Sequence, residues 1–282
     1  VNGGSFAFVV SGAIGNGAAI YYGGTEFVEF AGLDQNDFVY GTQVVSQAFT
    51  LEVTVKAGGR QVLDSGGTAV ESFVASGGSV FVEYGGSAVV LVDKGGDDYL
   101  YGGQAEGTYI SSGGTEYVES GGLASHSYVF SGGTQVVESG GAAVSTSIYS
   151  GGTMEIASGG LIGSAPVTFA SSDGTLQLDD SENFSGQIQG FDSHPGNSGD
   201  TNYLDLRDIL YGPSTNVSFV EANNSESGTL TVTDGTHTAN LVLLGDYATG
   251  DFQKKSDGFG GTEIYDPANS AQLGTVVTPT HT

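Results

Sequence analysis

The chain has 282 residues, with 32 Asp or Glu against six Lys or Arg, and a formal net charge of −26. That balance argues against nucleic acid and anionic membrane surfaces as partners, because both need clustered cations. Cysteine is absent, which leaves no disulfide framework and no thiol nucleophile. No apolar run approaches the ~20 residues of a membrane-spanning helix, so no membrane insertion is expected.

Residues 1–57 read as degenerate coils of a repeat. The chain opens in VNGGSFAFVVSG, a repeat-like segment without a leader pattern, which suggests a mature or trimmed product. This first segment is apolar and uncharged (Phe6, Phe8, Val9, Val10) and leaves a hydrophobic end that needs covering. Docking on another subunit, head to tail, or on further repeats would cover it. GGTEFVEFAG (23–32) is a full half-repeat, whereas YGTQVVSQ (40–47) has lost a glycine.

Residues 58–170 form the regular body. Glycine pairs start at 113, 121, 132, 140, 151 and 159, so steps of eight and eleven alternate and the period is nineteen. A fixed period of that size marks a solenoid, in which one repeat is one coil and buries its apolar face only against a neighbour. Counting from the first glycine of each coil, position 6 holds Val28, Leu63, Val82, Leu100, Val118, Val137, Ile156 and Leu178. These stack as an aliphatic column. Position 12 is small or aliphatic (Ala69, Ala88, Ala124, Ala143, Ile162), and position 17 gives Val74, Val129, Ile148 and Val167, which supply the opposite wall. The expected fold is all-β: a parallel β-helix of about ten 19-residue coils with a β-rich C-terminal cap, a rod of roughly 45–50 Å at the ~4.8 Å strand spacing. With five prolines among 282 residues and no glycine at every third position, collagen is excluded.

The units Ser112-Gly113-Gly114-Thr115, Ser131-Gly132-Gly133-Thr134 and Ser150-Gly151-Gly152-Thr153, with Ser120, Ser139 and Ser158 before the intervening pairs, resemble the repeats of AIDA-type autotransporter adhesins. The match is good over 58–160 and loose over 1–57. The resemblance implies a bacterial, extracellular or cell-surface protein that self-associates, and it makes the Ser and Thr beside the glycine pairs candidate O-glycosylation acceptors. It also implies a translocating barrel at the end of a complete protein, which nothing after Thr275 supplies.

Residues 171–282 read as a capping β domain. TLQLDD (175–180), NYLDL (202–206), NVSFVEA (216–222), GTLTVTDG (228–235), TANLVLLGDY (238–247) and GTEIYD (261–266) are longer strands, and Asp234-Gly235 signals a hairpin. This part resembles C-terminal modules of large exported bacterial repeat proteins, through Gly190-Phe191-Asp192, Gly199-Asp200, Leu204-Asp205-Leu206, Leu244-Gly245-Asp246-Tyr247 and Gly260-Gly261-Thr262.

Position 7 carries a row of carboxylates and position 5 a row of aromatics, on one outward strip. Its candidate binding residues are Phe81, Glu83, Tyr99, Tyr101, Tyr117, Glu119 and Glu138. Exposed aromatics suit sugar rings, and carboxylates suit hydroxyls or bridging cations; a solvated face of good strand formers is the plainer account. Asp97 and Asp98 in GGDDYLYGG (95–103) faintly resemble a calcium-binding glycine-rich repeat, making calcium the one conceivable cofactor. His126, His194, His237 and His281 share no ligand spacing.

Two functions fit. One is an extracellular structural or adhesive solenoid acting by self-association, as filament or biofilm matrix, or by contact with surfaces and glycans. The other is a polysaccharide hydrolase or lyase in a groove around 60–140, where Glu119 and Glu138 would lie about 5 Å apart, as in retaining glycosidases. Identical rungs offer no asymmetry to separate an acid from a nucleophile. A passive stalk is a third possibility.

Overall fold

The structure, a computed structural model, describes residues 1–191, 201–222 and 226–266. A coil consists of three short strands and three corners. In the coil that starts at Gly113 the strands are Thr115–Val118, Leu123–Ser125 and Tyr128–Val129; the next coil repeats them as Thr134–Val137, Ala142–Val144 and Ser147–Ile148. Equivalent strands pair in parallel, with Val118 opposite Val137, Ala124 opposite Ala143 and Val129 opposite Ile148. Three walls result. The first holds eleven parallel strands, from Phe6–Val9 to Tyr203–Leu206, close to the ten coils expected.

The position-6 column from Val28 to Leu178 is buried throughout, as are Val74, Val129 and Ile148 on the third wall. Burial of each such side chain stabilises by about 1.5–3 kcal/mol. The second wall contributes mainly alanine (Ala69, Ala88, Ala105, Ala124, Ala143), which lets it approach the larger side chains opposite.

The two glycines of a corner serve different needs. At Gly140 the backbone has φ +79°, where only glycine avoids a Cβ penalty. Gly141 has ordinary backbone, but a Cβ there would fall 2.0 Å from the carbonyl oxygen of Val118 in the coil before. The third corner has no glycine pair. It turns on one residue with positive φ, which is Asn36, Glu52, Glu71, Val90, His126 or Ser145 in different coils and Gly107 in another. In Thr68–Ala75 and Ser87–Lys94 the second and third strands run together through it.

Past Leu206 the first wall turns antiparallel, whereas the third wall takes one more parallel strand, Thr238–Leu244, before it does so. Thr262–Tyr265 pairs antiparallel with Tyr203–Leu206 and carries Gln253–Ser256 on its far side, closing the first wall. On the third wall Gln187–Gln189 pairs with Thr238–Leu244, which continues antiparallel through Ser227–Thr233 to Asn216–Glu221. Asp234-Gly235 forms the expected hairpin. The Asp234 carboxylate accepts the backbone N–H groups of Thr236, His237 and Leu210 and faces the His237 ring, and the ring and these donors hold it well below the usual carboxylate range. Phe169, Phe191, Phe219, Tyr247 and Phe252 close the end as an aromatic cluster. Of the resembled module, Asp192, Gly199 and Asp200 lie outside the described residues.

At the other end, among the described residues, Phe6–Val9 pairs only with Thr25–Glu29, and Phe6 and Phe8 are 67% and 63% exposed, their rings leaning on Phe27.

Candidate functional site

Strand alternation divides the first wall into an outward and an inward row. Outward, Phe81, Tyr99 and Tyr117 pair in register on successive coils. Their rings are nearly parallel with centroids 5.0 Å apart at each step, and Tyr101 stacks beside them at 6.0 Å from Tyr99. The Arg60 guanidinium covers the open face of Phe81 at 4.1 Å. Both faces of Tyr99 are therefore taken by neighbours, and the strip offers ring edges and hydroxyls to solvent. Glu83, Glu119 and Glu138 lie half-buried alongside, so the predicted strip residues do share one face.

The inward row is a feature that the periodic reading missed. Position 4 carries Glu26, Gln43, Gln61, Asp98, Glu116 and Gln135, all buried. For Gln61, Glu116 and Gln135 one partner is a hydroxyl eleven residues on, across the interior. Ser72 donates to Gln61 at 2.9 Å, Ser127 to Glu116 at 2.9 Å and Thr146 to Gln135 at 2.7 Å. Glu116 also accepts from Thr108 and from the Gln135 amide, each at 2.6 Å. The solenoid thus has an aliphatic side and a hydrogen-bonded polar spine. Because position 6 faces inward, position 4 must too, and that parity was the available signal.

Two acid clusters lie in this spine. Carboxylate oxygens of Glu26, Asp34 and Asp37 come within 4.8 Å of one another. The Gln43 amide nitrogen sits among them, 3.1, 3.3 and 3.1 Å from Glu26, Asp34 and Asp37, in the place a cation would take. Burial first, then the neighbouring Asp34, pushes Glu26 and Asp37 above the ordinary range. The second cluster is Asp93, Asp98 and Glu116. Strand alternation separates Asp97 from Asp98, the pair that the sequence associates with calcium. Asp97 faces outward and half-buried, Asp98 is fully buried inside, and the two carboxylates leave opposite sides of their strand.

A depression of about 400 Å³ lies beside the last regular coils, lined by Leu161, Ile162, Leu178, Asp180, Asn183 and Phe184 among others. Its carboxylate, Asp180, accepts from Ser158 and Asn183. The aromatic strip lies elsewhere.

A family described as the adhesin of the bacterial autotransporter system, probable stalk, matches residues 99–152, the stretch that carries Tyr99, Tyr117, Glu119 and Glu138. These are AIDA-type adhesin repeats. Among solved structures, the chain is similar to the TibC-catalysed hyper-glycosylated fragment of TibA, with 31% identity and a TM-score of 0.59. The alignment covers 66% of this chain and 66% of that one, so the chain spans about two thirds of the fragment. Among curated proteins none matches. The AIDA-type repeats make this an adhesin-like β-solenoid of the bacterial cell surface or the space outside it. Among the described residues no helix is long and apolar enough to cross a membrane.

Proposed function

We propose that this chain is part of an extracellular adhesive rod that acts by many weak contacts along its first wall and by self-association. The observation that carries this reading is the Phe81, Tyr99 and Tyr117 ladder flanked by Glu83, Glu119 and Glu138 on a wall of unbroken register. With ring faces occupied, contact falls to hydroxyls, ring edges and carboxylates, which suit the hydroxyl groups of glycans. The hyper-glycosylation of the TibA fragment supports the same reading from the other side. Ser112, Ser120, Ser131, Ser139, Ser150 and Ser158 are exposed at the glycine corners, and sugars carried there on one copy are ligands for the strip of another. The open N-terminal edge gives a second contact. The far edge strand bears Lys254 and Lys255, charges that blunt strand pairing.

The test is binding to a polysaccharide panel by the wild type and by Tyr99→Ala/Glu119→Gln. A loss of about tenfold, one contact of ~1.4 kcal/mol, is expected. Unchanged binding, or release of reducing ends or unsaturated sugars from the panel, contradicts the proposal.

A further inference from the structure

Asp93 and Asp98 lie in one coil, on either side of the Gly95-Gly96 corner, and both are completely buried. None of their four carboxylate oxygens has another group donating to it. Asp93 interrupts an aliphatic column, with Val74 in the coil before and Ile110 in the coil after. Asp98 stands between Val80 and Glu116. From the second wall the neighbouring inward residues are Ala88 and Ala105. Among the described residues Glu116 is the one other titratable side chain that faces the pair from inside, and Thr108, Ser127 and Gln135 already serve its oxygens. Asp97 and Lys94 point outward.

Two adjacent carboxylates in a dry interior cannot both stay ionised without a counter-charge. Calcium needs six to eight oxygen ligands. Among the described residues, three acidic ligand atoms meet only at Glu26, Asp34 and Asp37, not at this pair. A proton needs no further ligand, and the two carboxyls flank one glycine corner on the inside of the coil, close enough for each to perturb the other.

We propose that Asp93 and Asp98 form a proton-sharing carboxyl pair inside the solenoid, the O–H of one donating to the other, so that mild acid tightens the rod and alkali loosens it. Burial holds both carboxyls above the ordinary range. For Asp93 the charge of Asp98 adds to it, and for Asp98 the hydrogen bond from Asp93 works against it. The unfolded chain ionises both groups near pH 4 while the folded pair keeps its proton. Stability is therefore greatest in acid and falls as pH rises, until the pair itself ionises.

The experiment measures protons released on thermal unfolding at pH 7 in weak buffer, for the wild type, for Asp93→Asn and for Asp93→Val/Asp98→Val. The asparagine amide replaces the shared proton with a permanent donor, and the valines copy Val74 and Val80 of the coil before. Each variant should release about one proton fewer than the wild type, and its melting midpoint should fall less between pH 5 and pH 8. Equal proton release by wild type and variants overturns the pair. So does a calcium-dependent midpoint in the wild type that the variants lose, since that would make the site a cation site.

Discussion

At the scale of single residues, the fold rests on backbone positions more than on chemistry. Gly113 has φ +89° and nothing within 4 Å of an added Cβ, so Gly113→Ala meets only the left-handed penalty of about 1–2 kcal/mol. Gly141→Ala drives a methyl into the Val118 carbonyl and should cost more, with an overpacking loss of about 1–3 kcal/mol or above. Urea unfolding of both variants checks the order; a Gly113 variant less stable than the Gly141 variant contradicts it. Val90 is the reverse case, a β-branched residue at φ +59°. Val90→Asn should raise stability by roughly 1 kcal/mol, read as a higher denaturation midpoint. The glycine pairs were legible because two corners use glycine for its lack of a side chain. The third corner was not legible, since Glu71, Val90, His126 and Ser145 have no residue type in common and are alike only in their φ.

At the scale of elements, six strands of the first wall, those of Glu26, Gln43, Gln61, Asp98, Glu116 and Gln135, pair one inward polar residue with one inward apolar residue, and each kind needs its own partner. Val118 has its column. Glu116 has three donors, and Glu116→Ala would strand Thr108, Ser127 and Gln135 at about 1–3 kcal/mol for each buried group left unpaired. Leu100→Ala in the neighbouring column should cost about 2–5 kcal/mol. Calorimetry on the two variants separates polar from apolar loss: comparable destabilisation is expected, and a neutral Glu116→Ala would mean that the spine contributes nothing. The aliphatic column was readable from position 6 alone. The spine was hidden because Glu and Gln ordinarily read as solvated, and only their parity with position 6 turns them inward. The outward strip was readable as a row of residue types, but not the covering of ring faces, which depends on the register of Phe81, Tyr99 and Tyr117.

At the scale of the molecule, the two ends of the described rod differ. Antiparallel strands finish both the first and third walls, while among the described residues Phe6–Val9 pairs on one side alone and carries the exposed Phe6 and Phe8. Phe8→Lys should reduce self-association measured by sedimentation without lowering the melting midpoint; a wild type that stays monomeric at high concentration removes the self-association arm of the proposal. Every feature named depends on each coil, nineteen residues in the most regular part and shorter or longer elsewhere, advancing the chain by one rung. The protein lacks cysteine, so paired spin labels can be placed at will. Thr25 and Thr175 are eight rungs apart in the first wall, and Asp97 and Thr175 four. Labels at these sites should report about 38 Å and about 19 Å between backbone positions, at ~4.8 Å per rung. Distances that do not double with the number of rungs would contradict the stacked-coil architecture and the continuous strip it supports.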